Sequence, residues 1–258
     1  MEAFDAGSRS TPSTLPARLA RHGVLTITAV PSSTTLYETD AMVMRLDSII
    51  AEVIGRHGIS RDRVAIGGFS AGGTGAVRYA QVCAQDRCRG ARRVAAVFAV
   101  DPPLDFERIY HSSDRVVRRN AARSNIVEER MLVNTLRDAM GGTPEAARAA
   151  YLRHSPVVAS EVDGGNAKLL ARTPVRIYTE PDVHWWMRER NLDFHGMNSL
   201  DHSALINLLR VGGNRRAELI TTTGKGIRPD GRRHPHSWSI VDEEELTRWL
   251  VPLLTPAT

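Results

Sequence analysis

The sequence predicts an α/β fold, a mostly parallel sheet with helices on both faces, and three observations carry that prediction. Short apolar, β-branched segments recur along the chain and end at glycine or proline, as buried parallel strands do. The stretches between them place apolar residues at helical spacing. Strand and helix alternate in order, which is the pattern of an open parallel sheet with crossover helices.

Each element follows from its residues. "VLTITAV" (24–30) ends at Pro31 and is expected to be the first strand. Over 40–57, Met42, Leu46, Ile49, Ile50, Val53 and Ile54 define one helical face, closed by Gly58. "RVAIGG" is the next strand and "GTGAVRYAQVCA" the next helix; "RRVAAVFAV" (92–100) is a strand stopped by "DPP". From Asp105 to about Leu170 the pattern becomes helical and polar. "SNIVEERMLVNTLRDAM" and "TPEAARAAYLRH" are two expected helices, separated by Gly141 and Gly142, with Thr143-Pro144-Glu145 opening the second. "TPVRIYTEPD" (173–182) resumes the strands, a mixed helical region covers about 184–210, and "RAELITTTG" and "VDEEELTRWLVPLL" form a last strand and helix. The expected organisation is one domain over 1–258, with 105–170 a helical, lid-like insertion above the sheet.

Composition narrows the class. Hydrophobic residues make up 42% and charged residues 24%, as in globular proteins. No apolar run is long enough to span a bilayer, and the N-terminus lacks the basic start and apolar core of a secretory signal. The net charge of +5 is carried almost wholly by arginines scattered among acids, with Lys168 and Lys225 the lysines; this describes a solvated surface and not a nucleic-acid face. Cys83 and Cys88 fit no zinc spacing, and as two thiols they point to a reducing cytoplasm, with a local disulfide the lesser alternative.

"GGFSAGGTG" carries the chemistry. As a phosphate loop it would need lysine after Gly72, and that position is Gly73. As G-x-S-x-G, Gly68-Phe69-Ser70-Ala71-Gly72 lies between an apolar strand and a helix. That is where a serine can sit in a strained turn with its hydroxyl off the strand end. Small flanking residues let strand and helix approach, and the helix N-terminus favours developing negative charge. The Ala71 amide would be one oxyanion donor.

A serine nucleophile needs a base, and the base needs an orienting acid. In the α/β-hydrolase arrangement these follow in the order serine, acid, histidine. Asp182, just past the next-to-last strand, is the expected acid, with Glu180 the alternative. His236 is the expected base in preference to His234, because it lies closer to the final helix. Asp101, at the end of "AVFAV", is a further candidate acid, although the two prolines after it favour a turn role.

The stretches "AIGGFSAGGTGAVRYA", "PVRIYTEPD", "HPHSWSIVDEEELTRWL" and, more loosely, "YLRHSPV" resemble the α/β-hydrolase superfamily of serine hydrolases, in particular its esterase and peptidase-like branches. The resemblance implies a Ser–His–Asp mechanism with an acyl-enzyme intermediate, no cofactor and a small-molecule acyl substrate. Such folds place a strand and an H-G-type loop before the first helix. Here "AFDAG" (3–7) would stand for the loop, with Phe4 and Asp5 as oxyanion residues on an N-terminally shortened sheet.

Phe69, Tyr37 and Trp185 are candidate pocket residues. Trp185, Trp186 and Phe194 could line an acyl pocket, pin the insertion to the sheet or form a homodimer contact, with packing preferred. The histidines lack metal-ligand spacing, so no metal is expected. No nucleic-acid or membrane partner is expected. The same acyl-enzyme could serve an acyltransferase or cyclase, and a non-catalytic hydrolase-like scaffold is the reading from another class.

Overall fold

A computed structural model of the chain describes residues 13–29, 39–119 and 126–255. The described sheet has four strands, β1 (Val64–Phe69), β2 (Val94–Val100), β3 (Val175–Thr179) and β4 (Ala217–Thr221), all parallel and adjacent in chain order. In β2, Ala96, Phe98 and Val100 face one side and Val97 and Ala99 the other, so both faces must be covered by apolar residues.

On one face lie α2 (Thr39–His57), α3 (Ala71–Cys83) and α8 (Ser199–Val211), which bury Val43, Val77, Val82, Leu205 and Leu209 against Val97, Ala99, Val175 and Ile177. On the other, α1 (Leu15–Ala20) and α9 (Glu243–Leu254) bury Leu15, Leu19, Leu246 and Leu250 against Phe98, Val100 and Tyr178. Asp242 caps α9 by accepting from the Glu244 and Glu245 amides. Arg176 reaches along β3 to pair with Glu218 and Glu245, joining β3 and β4 to α9. No described helix is long and apolar enough to cross a membrane.

Between β2 and β3 the chain forms α4 (Phe106–Arg119), α5 (Ile126–Met140) and α6 (Arg148–His154). These helices build a satellite core of Phe106, Ile109, Tyr110, Val133, Leu136, Met140 and Tyr151. The structure thus adds α4 to the two helices expected there. It also shortens the second of them. Thr143 opens only a turn, its carbonyl accepting from the Ala146 and Ala147 amides, and α6 starts afresh after Ala147.

Two further expectations need correction. The residues 24–29 form no strand; the Val24 amide turns back to Leu19 O, and Leu25 and Ile27 are exposed. That segment lines a groove of about 730 Å³ together with α2 and β1, and it does not hydrogen-bond to the β1 edge as a ladder. Its alternation of apolar residues was sufficient for a strand, but a strand also requires a paired neighbour. Cys83 and Cys88 are joined in a disulfide at the end of α3, so the inference from two thiols to a reducing cytoplasm loses its premise. The five-residue separation spans the tight turn that follows α3, which returns Cys88 to Cys83.

Candidate active site

β1 ends at Phe69 and α3 begins at Ala71, so Ser70 alone makes the turn, at φ 53° and ψ −127°. A side chain at positive φ is strained and persists where its surroundings over-determine it. Here they do: the Ser70 amide donates to Val100 O (2.9 Å), and its carbonyl accepts from the Thr74 amide (3.1 Å). Gly68 is a steric requirement, since a Cβ there would overlap the Gly72 backbone. Gly73 is nearly as constrained, with a Cβ falling 3.0 Å from that of Ala99. Gly72 faces open space. The motif's first glycine therefore serves the close strand–helix approach, and its second does not.

The Ser70 hydroxyl lies 2.9 Å from His236 Nε2, and His236 Nδ1 lies 2.6 Å from Asp101 Oδ2. An ionised carboxylate only accepts, so Nδ1 carries the proton and Nε2 presents its lone pair to Ser70. The Phe69 ring packs against His236 at 4.6 Å, which supports the imidazole from the side. His236 itself arrives on the loop after β4, in which Arg228 donates to its carbonyl (3.1 Å).

The carboxylate on His236 is thus Asp101, and not Asp182 or Glu180. Register explains why. β2 is the direct neighbour of β1, with Phe69 opposite Val100, so the next residues, Ser70 and Asp101, leave the sheet side by side. β3 lies one strand further away, roughly another 4.8 Å. Asp182 instead caps α7 (Val183–Arg190) by accepting from the Trp185 amide (2.9 Å), and it pairs with Arg233 (2.6 Å). Those partners hold its carboxyl below the usual range, first through the Trp185 amide and then through Arg233. Glu180 is buried and accepts from Thr222, the Gly224 and Lys225 amides, and Arg233. Both acids therefore anchor the loop that carries His236, with Arg233 bridging them.

Asp101 also sits at positive φ, 45°, at the head of the turn Asp101-Pro102-Pro103-Leu104-Asp105. Two prolines remove two amide donors, so the turn is held through its three remaining amides and through its carbonyls. The Asp101 amide donates to Tyr178 O (2.9 Å), and Thr74 Oγ1 donates to Pro103 O (2.6 Å). α8 supplies much of the rest: Asn198 Nδ2 donates to Asp101 O (3.1 Å), and Asp201 Oδ2 accepts from the Leu104 and Asp105 amides (3.0 Å each). Asp201 is in turn paired with Arg108 of α4. Turn and acid were rival expectations for Asp101, and the structure gives the residue both positions. Burial pushes its carboxyl up, but the hydrogen bond and charge of His236 outweigh that and leave it below the ordinary range.

The other expected residues divide clearly. His234 is buried behind His236 and packs edge-on to Trp185 at 4.5 Å. Burial first, then Arg228, His236 and Arg190, depress its pKa to about 3, so it remains neutral. Trp185 is buried and contacts Trp186 and His234 as a packing residue. Ala71 is the first residue of α3, where amides have no intrahelical acceptor. Phe4, Asp5 and Tyr37 lie outside the described residues. Among the described residues no group of three or more His, Cys, Asp or Glu gathers as metal ligands would.

No protein-family model matches the chain, and no curated protein matches it. Solved structures do. Carboxyl esterase 2 from the mycorrhizal fungus Tuber melanosporum superposes over 95% of this chain and 74% of its own, with a TM-score of 0.50 and 12% identity. The chain has the α/β-hydrolase fold. An esterase of the bacterial hormone-sensitive lipase family also aligns with this hydrolase fold, with a TM-score of 0.45 and 19% identity over 79% of this chain. The chain spans 58% of that esterase's length. Proline iminopeptidase from Mycobacterium smegmatis aligns over 93% of this chain and 84% of its own, with a TM-score of 0.41 and 11% identity. In this hydrolase fold the parallel sheet presents Ser70 and Asp101 at its carboxyl edge, where ligands of open α/β sheets bind.

Proposed function

We propose that the protein is a serine hydrolase that cleaves an ester, thioester or amide through an acyl-enzyme intermediate, with Ser70 as nucleophile, His236 as base and Asp101 as acid. The observation that carries this is the continuous relay from Ser70 Oγ through His236 to Asp101, at 2.9 and 2.6 Å, on a serine held at positive φ. An inert turn has no need of a strained serine, and a scaffold has no need of an imidazole in the tautomer that accepts a hydroxyl proton.

In the proposed reaction Ser70 Oγ attacks the substrate carbonyl while His236 Nε2 takes its proton. Asp101 orients the imidazole and stabilises the imidazolium. The Ala71 amide, at the N-terminus of α3, donates to the oxyanion. The bond from carbonyl carbon to the leaving group then breaks, and His236 returns its proton to that group. Water attacks the acyl-Ser70 ester, with His236 taking and passing back one proton, and the acid is released. Helices α4–α6 would act as the lid over this end of the sheet, and an alcohol or amine replacing the water would make the same chemistry an acyl transfer.

A fluorophosphonate probe tests the proposal. The wild type is expected to be labelled and Ser70→Ala not; absence of labelling on the wild type would refute it.

A further inference from the structure

His202, on α8, is fully buried and touches the turn that carries Asp101. Its Nε2 lies 2.8 Å from Pro102 O. A carbonyl only accepts, so Nε2 carries a hydrogen and donates it. Its Nδ1 has no hydrogen-bond partner among the described residues and stands 3.9 Å from Asp101 Oδ1, the carboxylate oxygen not used by His236. A buried polar nitrogen left unpaired costs free energy and calls for a reason.

Among the described residues His202 Nε2 is the donor on the Pro102 carbonyl, in a turn whose two prolines offer no amide of their own to brace it. That carbonyl belongs to the Pro102–Pro103 peptide, one peptide beyond Asp101, and the fixed φ of the proline between them leaves the turn little freedom to absorb a displacement before it reaches Asp101, itself held at positive φ. Moving that peptide would rotate Oδ2 away from His236, and the 2.6 Å contact would lengthen. We propose that His202 is a positioning residue for the relay: through the Pro102 carbonyl it holds the Asp101 carboxylate toward His236. This rests on Ser70, His236 and Asp101 being the catalytic relay.

The vacant Nδ1 fits the role. A proton there would set a cation against Oδ1 and draw on the charge that His236 needs. Burial lowers the proton affinity of His202 against the opposing pull of Asp101 and, more weakly, of Asp201 on its own helix. Arg108, reaching in from α4 to Asp201, adds to the lowering. His202 thereby anchors the turn while neutral and leaves the carboxylate to a single imidazole.

The test compares His202→Gln, His202→Asn and His202→Leu in the full chain, with p-nitrophenyl acetate as substrate. A glutamine amide reaches the position of Nε2; an asparagine amide stops near that of Nδ1, and leucine donates nothing. The expected result is near wild-type kcat for His202→Gln, with a loss of about ten- to a hundredfold and an unchanged KM for the other two, the scale of a small misplacement of a reacting group.

The second readout is the downfield proton resonance between His236 Nδ1 and Asp101, assigned by its loss in His236→Ala. It is expected in the wild type and in His202→Gln and weakened or lost in His202→Asn. Should His202→Leu fail to fold, the pair Gln against Asn carries the comparison. Equal kcat and equal resonance in Gln and Asn would overturn the proposal. A resonance that tracks these variants in a protein with no esterase activity or fluorophosphonate labelling would count against the catalytic reading, and leave the positioning role standing.

Discussion

Replacing Asp101 by asparagine should disable the protein while leaving its shape intact. The isosteric amide keeps the turn, since Asn198, Thr74 and Asp201 hold that turn through backbone groups that do not change. Only the group facing His236 Nδ1 at 2.6 Å becomes different. An amide NH₂ in that place donates to Nδ1, which puts the imidazole hydrogen on Nε2, facing Ser70 Oγ at 2.9 Å. That tautomer cannot accept the serine proton. The loss for this kind of change in a known triad is about 10⁴ in kcat, or ~5 kcal/mol at about 1.36 kcal/mol per decade. Asp182→Asn should behave differently. Asparagine can still accept from the Trp185 amide, and the partly exposed Arg233 pair it gives up is worth about 0–1 kcal/mol. The expected effect on kcat is therefore less than about tenfold. Steady-state hydrolysis of p-nitrophenyl acetate, with circular dichroism to establish folding, measures both. A collapse in Asp182→Asn with Asp101→Asn near wild type would refute the assignment of the acid.

Three other perturbations follow from separate features. His234 titrates near 3 when folded against 6.5 for an ordinary histidine, so the unfolded chain binds more protons between those values and stability must fall as pH drops through that window. In urea unfolding from pH 7 to 4 the wild type should lose stability more steeply than His234→Gln, by up to about 1.4 kcal/mol per pH unit; equal slopes would contradict it. Gly68→Ala should cost several kcal/mol or prevent folding, because its Cβ meets backbone, whereas Gly72→Ala, on a helix and in open space, should leave stability unchanged or raise it by about 0.5–1 kcal/mol in chemical denaturation. Reducing Cys83–Cys88 should lower stability by about 2 kcal/mol, the loop-closure value for so short a ring, read as a fall in Tm of about 4–8 °C and the appearance of two titratable thiols.

The parts of the site that lie close together in sequence were legible in it. Ser70 is named by its neighbours: an apolar strand, small residues on both sides and an immediate helix make a turn that few other sequences make. His236 could be found because the loop between the last strand and last helix offers two histidines, and the one nearer the helix meets Ser70. The acid was not legible, because carboxylates end both β2 and β3 and sequence does not say which lies beside Ser70. That depends on strand order and register, and on Arg233 engaging Glu180 and Asp182 from fifty residues away. The prolines after Asp101 pointed to a turn, as they should; a turn was not evidence against the acid. The fold was read well where apolar residues had neighbours to pair with. The residues 24–29 have the right pattern and no paired strand among the described residues. The disulfide depended on how the chain turns after α3, which no spacing rule contains.

Mapping the fluorophosphonate adduct tests the central claim most directly. Intact mass and peptide mapping after labelling should show one adduct, on Ser70, absent from Ser70→Ala and formed far more slowly in His236→Ala and Asp101→Asn. No adduct, or an adduct on another residue, would contradict the account.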